Sequence, residues 1–279
     1  MKRDRWIIVL AAAAWVLATP AIAQTAPGAV ERLYVIECGQ GQVPDLSRWS
    51  PGVNVGKKTE YVTNCYLIKH AQGYMLWETG LEDELAKVPE GRGQFTRWRL
   101  ARTLASQLDE IKVKPSDVKF VAASHTHPDH IGNVELFPQA MLLMQKAEYE
   151  WPGANNAPRF KPSHPATKLE GDYDVFGDGS VTLLSTPGHT PGHQSILIKL
   201  ARTGPILISG DAVHFRENWD YRRVPSFNVD VQKTLTSMDR IAAILAHTRA
   251  QFWIHHDKAQ AELPEAVWLA YDGLRVEIP

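Results

Sequence analysis

The sequence predicts an α/β protein, one domain in which strands and helices are mixed. Three observations carry that reading. Short apolar runs of strand length, rich in Val, Ile and Leu, recur at 118–123, 181–185, 194–200 and 205–209. Apolar residues step by three and four over 96–111, and a second helix-length segment spans 231–247. No repeat, low-complexity tract or linker divides the 279 residues. The 44% hydrophobic and 22% charged content excludes a disordered, collagen-like or multispanning chain. A net charge of −1 provides no basic field for a phosphate backbone, so nucleic acid is not an expected partner.

In chain order, residues 1–23 have the layout of an export signal. Lys2, Arg3 and Arg5 precede an apolar run, and Ala21-Ile22-Ala23 is a small-x-small cleavage site. The mature domain is then 24–279, periplasmic or secreted, with no membrane contact once the signal is cleaved. Residues 31–38 and 61–79 read as strands, with Gln72-Gly73 as a hairpin turn and 39–60 as a loop rich in Gly, Pro and Lys. The helix at 96–111 places Trp98, Ala101, Leu104, Leu108 and Ile111 on one face. Strands follow at 118–123 and 140–144, then a surface loop at 152–168. Strands at 181–185, 194–200 and 205–209 precede a polar segment, 215–230; the 231–247 helix and a strand at 251–254 close the pattern. Cys38 and Cys65 each lie in a strand run and lack metal or redox spacing. They read as two small buried thiols, with a bridge as the alternative that an oxidising compartment opens.

Histidine is the unusual component, with 11 residues. Ser124-His125-Thr126-His127-Pro128-Asp129-His130 follows a buried strand directly. Imidazole and carboxylate are good ligands for borderline metals such as zinc. His125 and His127 can serve one metal while Asp129 and His130 serve another. Three further strand ends add donors: His189 and His193 in the 186–193 turn, Asp211 after Ser209-Gly210, and His255-His256-Asp257. Two metals about 3.5–4 Å apart need a bridging ligand, and Asp211 is the candidate.

This pattern resembles the metallo-β-lactamase superfamily of binuclear hydrolases over about residues 31–272. The resemblance implies a four-layer αβ/βα sandwich, with two mixed sheets face to face, helices outside and the site at one edge. It implies two zinc ions per chain, although other divalent metals suit the same donors. His125, His127 and His189 would hold the first, and Asp129, His130 and His256 the second, with Asp211 bridging. His255 is the rival to His256, which is preferred because His256-Asp257 closes the corresponding motif. Within the superfamily the chain is most similar to N-acyl-homoserine lactonases, through Cys65-Tyr66-Leu67, Glu78-Thr79-Gly80, Gly210-Asp211-Ala212 and Arg216-Glu217-Asn218. Glu78 stands where many members have Asp. His214 stands where they have a tyrosine that contacts the substrate carbonyl.

The implied reaction is ring opening of a small-molecule lactone by a metal-bridging hydroxide. His214 would polarise the carbonyl and Asp129 would carry a proton to the leaving alkoxide. Glu78 and His193 are candidates to orient ligands from behind. Trp151, Trp219 and Tyr221 are candidates to wall an acyl pocket. The alternatives on the same ligand set are a phosphotriester or a β-lactam. Homodimers are common among the enzymes it resembles.

Overall fold

The computed structural model describes residues 30–153 and 156–261. The export segment 1–23 lies outside them, as do the first and last residues of the 24–279 domain. The strands are β1 (Val30–Val43), β2 (Thr59–His70), β3 (Gly73–Trp77), β4 (Arg97–Arg99), β5 (Val118–Ala122), β6 (Met141–Gln145), β7 (Ala166–Leu169), β8 (Tyr173–Asp174), β9 (Val181–Ser185), β10 (Gln194–Leu200), β11 (Gly204–Ile208) and β12 (Gln251–Trp253). The helices are α1 (Leu104–Glu110), α2 (Pro128–Ile131), α3 (Lys146–Tyr149), α4 (Arg216–Asp220), α5 (Val231–Thr248) and α6 (Lys258–Ala261). No helix among the described residues is long and apolar enough to cross a membrane.

Strand order explains the layering. One half runs β1-β2-β3-β5-β6-β7 with β4 on β1, and the other runs β12-β11-β10-β9-β8. Among the described residues they join at the edge, where Val30 pairs with Leu200. Side chains on a strand alternate between faces, and the apolar residues follow that period. Ile68, Met75 and Trp77 of the first half meet Leu183, Ile196, Ile198, Ile206 and Ile208 of the second in one shared core. Their neighbours face outward. Leu67, Leu76 and Val121 bury Leu104 and Leu108 of α1, while Leu184, Leu197 and Leu207 bury Ile241 of α5. The expected sandwich of two sheets with outer helices is therefore present.

Four local expectations need correction. The 96–111 helix begins only at Leu104, capped by the Thr103 side chain. Arg97–Arg99 pairs with Gln40–Gln42 instead, because Trp98 packs edge-on against Tyr61 at 4.7 Å rather than on the helix face. The 215–230 segment contains α4, whose preceding residue Phe215 donates its N–H to Asn218 Oδ1 at 3.1 Å. The 39–60 and 152–168 loops are shorter than expected, since β1 runs to Val43, β2 starts at Thr59 and β7 starts at Ala166. Finally, Cys38 and Cys65 are not free thiols: they form a disulfide with a Cα–Cα distance of 5.8 Å. β1 and β2 are antiparallel neighbours with Ile36 opposite Cys65, and the register shift after Glu37 brings Cys38 within reach.

Candidate metal centre

β3 and β5 run parallel in one sheet, and β11 and β12 run parallel in the other, with β9 in the same sense. Their C-terminal ends therefore gather at one edge of the sandwich. The 124–130 segment leaves β5 there, and Pro128 starts α2 immediately after His127. The 186–193 turn leaves β9, Asp211 lies in a 3-10 turn after β11, and His255 and His256 follow β12. Gly210 has φ +54°, and a Cβ on it would fall 2.6 Å from Ser124 Cβ and 2.7 Å from His193 Nε2. Glycine is what lets Asp211 sit this close.

The donors converge. His127 Nδ1 lies 2.7 Å from His125 Nε2 and 3.1 Å from His189 Nε2. Asp211 faces both sides of the site. Its Oδ2 lies 3.3 Å from His189 Nε2 and 3.6 Å from His125 Nε2. Its Oδ1 lies 2.9 Å from His256 Nε2 and 3.4 Å from His130 Nε2. Asp129 Oδ2 stands 3.6 Å from His130 Nε2 and 3.7 Å from His256 Nε2. Every proposed ligand is thus brought to one place.

Four of the five ligand imidazoles, all but His127, are oriented from behind, which decides where their lone pairs point. His189 Nδ1 donates to Asn228 Oδ1 at 2.9 Å, and His256 Nδ1 donates to the Val62 carbonyl at 2.7 Å. His130 Nδ1 lies 3.1 Å from Glu78 Oε2, and the other Glu78 oxygen accepts from Ser124 N at 3.0 Å. Ser124 Oγ lies 2.9 Å from His125 Nδ1. The opposite ring nitrogens are left as lone pairs aimed at the centre. His127 Nδ1 stands 2.7 Å and 3.1 Å from the other two ring nitrogens, a crowding of three donor atoms that a cation at their centre would satisfy. His130 Nε2 and Asp211 Oδ1 are also buried without a hydrogen-bond partner. The residues therefore fit a metal pair, with His125, His127 and His189 on one side, Asp129, His130 and His256 on the other, and Asp211 between.

Glu78 and His193 both stand behind the candidate ligands. Glu78 is buried and holds φ +64°, a left-handed conformation that is unusual for glutamate. His193 donates from Nδ1 to the Thr186 carbonyl at 2.9 Å and accepts the Asp211 N–H on Nε2 at 2.8 Å. His214 lies on the Asp211 side, with Nε2 3.0 Å from Oδ2. Of the three expected wall residues, Trp151 stands near the site, 6.3 Å from the His127 ring. Trp219 instead packs on Phe252 at 4.5 Å, and Tyr221 is exposed beside Arg223.

Electrostatics sort the histidines. Burial drives His125 and His189 well below the usual imidazole range and His193 down to about 3. Burial is the largest influence at His130 and His256 too and opposes protonation, but the neighbouring carboxylates together, Asp211 foremost with Asp129 and, at His130, Glu78, lift both. Burial would raise Asp211, yet His214, His256 and His130 hold its carboxyl well below the carboxylate range. His125, His127 and His189 are thus held as neutral, metal-ready imidazoles, while His130 and His256 lean toward the protonated form beside the ionised Asp211, a positive charge that a cation there would replace.

Several supporting residues escaped sequence reasoning. Glu148 is fully buried and accepts from Thr126 N at 2.9 Å, Thr126 Oγ1 at 2.8 Å and Gly192 N at 3.0 Å. It ties the 124–130 segment to the 186–193 turn. Asn228, Ser124 and the Val62 carbonyl were equally invisible. Only Ser124, next to His125 at a strand end, carried a positional hint.

Comparison with known proteins agrees with this geometry. Residues 59–250 match the metallo-beta-lactamase superfamily. The chain belongs to that superfamily. Membership makes it a metal-dependent hydrolase, and its sequence is lactonase-like within the superfamily. It is 31% identical over 249 residues to the N-acyl homoserine lactonase AttM of Azorhizobium caulinodans, covering 81% of this chain and 93% of that one. It is 29% identical over 244 residues to AiiA of Bacillus thuringiensis subsp. kurstaki, covering 83% and 95%. A solved N-acyl homoserine lactone hydrolase, with the product N-hexanoyl-L-homoserine at its catalytic metal centre, superposes with a TM-score of 0.75. That structure is 28% identical and covers 84% of this chain and 96% of its own.

Proposed function

We propose that this protein opens the lactone ring of N-acyl homoserine lactones at a centre of two zinc ions, and that it does so after export. The observation that carries the reading is Asp211, whose two oxygens face separate groups of inward-pointing imidazoles. The named relatives supply the substrate class. A pair of bound zinc ions would supply a strong nucleophile from water at neutral pH and polarise a carbonyl oxygen.

This chain's own residues do the rest. Glu78, Asn228 and the Val62 carbonyl fix the tautomers that turn lone pairs inward. His193 holds the backbone of Asp211, which fixes the point from which the carboxylate reaches into the site. His214 places Nε2 3.0 Å from Asp211 Oδ2 outside the ligand set, and we assign its Nε2–H to the substrate carbonyl oxygen as charge develops there. Asp129, with a side chain 13% exposed, is the site carboxylate with access to water. We assign it the proton transfer to the leaving alkoxide. An apolar tail has a place beside this chemistry. A groove of about 550 Å³ is lined by Leu81, Leu85, Trp98 and Ile131, and it reaches Thr126 and Pro128 of the ligand loop.

The deciding experiment offers the zinc-restored mature protein N-acyl homoserine lactones of several chain lengths, a cephalosporin and a phosphotriester, with acid release followed in a pH-stat. Ring opening of the lactones is expected. No turnover of any lactone, with fast turnover of another substrate, overturns the reading. N-terminal sequencing of the exported protein should begin near Gln24.

A further inference from the structure

His255 is left idle by the ligand scheme, yet its surroundings give it no other employment. It is 1% exposed, and neither ring nitrogen has a hydrogen-bond partner. A neutral imidazole carries one N–H and one lone pair, and burying both unpaired is unfavourable. A residue kept only for packing would be better served here by an apolar ring. The neighbours are Tyr66, with ring centroids 6.0 Å apart, and the two second-side ligands, His130 at 5.0 Å and His256 at 4.7 Å. Consecutive residues on a strand point to opposite faces. β12 ends at Trp253, however, and the turn that follows brings the His255 and His256 rings edge to face at an interplanar angle of 73°. One donor atom each from His130, His255 and His256 then lies within 4.8 Å of the others.

We propose that His255 is a further nitrogen ligand to the metal on the Asp129 side. That position is then held by His130, His255 and His256 together with the carboxylates. This rests on the metal-centre reading above. It also gives the two positions unequal donor sets, since His125, His127 and His189 gain no such addition. Zinc accepts a fifth ligand without a ligand-field penalty, so an added imidazole is chemically admissible. His255 is thereby the partner-seeking group whose need the cation meets.

The test uses the full mature protein loaded with ¹¹³Cd and labelled with ¹⁵N in its histidine rings. One-bond coupling between ¹¹³Cd and a His255 ring nitrogen is expected, alongside coupling to the other ligand imidazoles. Coupling at His130 and His256 but none at His255 overturns the proposal while leaving the centre intact. A protein that takes up no metal overturns the centre itself. A His255→Phe variant, which keeps the ring volume and removes both donors, gives a second measurement. In it, half-release of the second zinc should need about tenfold less chelator, the first zinc should be unaffected, and the cobalt-loaded form should absorb more strongly as its coordination number falls. Unchanged chelator and cobalt titrations in a folded variant count against the proposal.

Discussion

Replacing Glu148 with Gln should damage the centre without touching a ligand. The wild-type carboxylate accepts two bonds from Thr126 on Oε1 and one from Gly192 N on Oε2, all at 2.8–3.0 Å and fully buried. A glutamine of the same shape has one oxygen and one NH₂ group. In either orientation the NH₂ faces a backbone N–H, so at least one buried donor is left unpaired at a cost of about 1–3 kcal/mol. The remaining bonds also lose their charge assistance, worth about 1 kcal/mol more. The total is about 2–4 kcal/mol, or about 5–10 °C in Tm for a chain of this size. Because Thr126 separates His125 from His127, and Gly192 lies in the turn that carries His189, zinc affinity on that side should fall at least about tenfold. Urea unfolding of the metal-free protein and zinc competition against a chromogenic chelator measure the two effects separately. A Glu148→Gln variant with the wild-type urea midpoint and wild-type zinc competition would refute the reasoning.

Three further outcomes are expected. His193, held at about 3 by burial, stays neutral in the fold but takes a proton near pH 6.5 when unfolded. Its stabilising contribution is therefore present above pH 6.5 and is lost as the pH falls, reaching about 2 kcal/mol at pH 5. His193→Gln should lose that much less stability between pH 7 and pH 5, and parallel urea-unfolding profiles for the two proteins would contradict this. The Cys38–Cys65 bridge closes a sequence separation of 27 residues, so the double Ala variant should lose about 3–4 kcal/mol of stability. It should also release zinc faster, since Cys38 O accepts from Leu81 N at 3.1 Å in the turn that follows Glu78; release kinetics as slow as the parent's would show the two to be unconnected. His214→Phe should lower kcat while zinc content stays at the wild-type level, and loss of a metal instead would make His214 a ligand.

The parts of the site legible in the sequence were those that chemistry restricts to few residue types. Only His, Asp, Glu and Cys commonly hold zinc, so donors repeated at four strand ends were visible before any contact was known. What orients those donors was hidden, because a carbonyl such as that of Val62 or an amide such as Asn228 is chemically ordinary. Its role exists only once the chain has folded it against His256 or His189. Spacing alone also misassigned Trp98. A period of three to four is shared by a helix face and by residues that merely fall at those intervals, and pairing of Arg97–Arg99 with β1 took precedence. The cysteine pair turned on register, a property of two strands together that neither segment encodes alone.

The donors come from both halves of the sandwich: His125, His127, Asp129 and His130 from the first sheet, His189, Asp211 and His256 from the second. Among the described residues those halves share one strand pairing, at Val30 and Leu200, which lies on strands that supply no ligand. A centre spanning such a seam would be costly to assemble if the metals alone closed it. They need not. Gln194 N donates to the Ser124 carbonyl at 2.9 Å and Gln194 Nε2 to the Ala123 carbonyl at 2.9 Å. Glu148 links Thr126 to Gly192, and His256 reaches across to Val62. These bonds cross between the sheets at the same edge as the ligands and use no metal. The donor geometry is therefore set by protein hydrogen bonds first, and metal binding can go into charge neutralisation rather than folding. The same logic explains why Gln194, Glu148 and His256 are buried here: each is a tie across the seam, and removing one should be felt in metal affinity before it is felt in the fold.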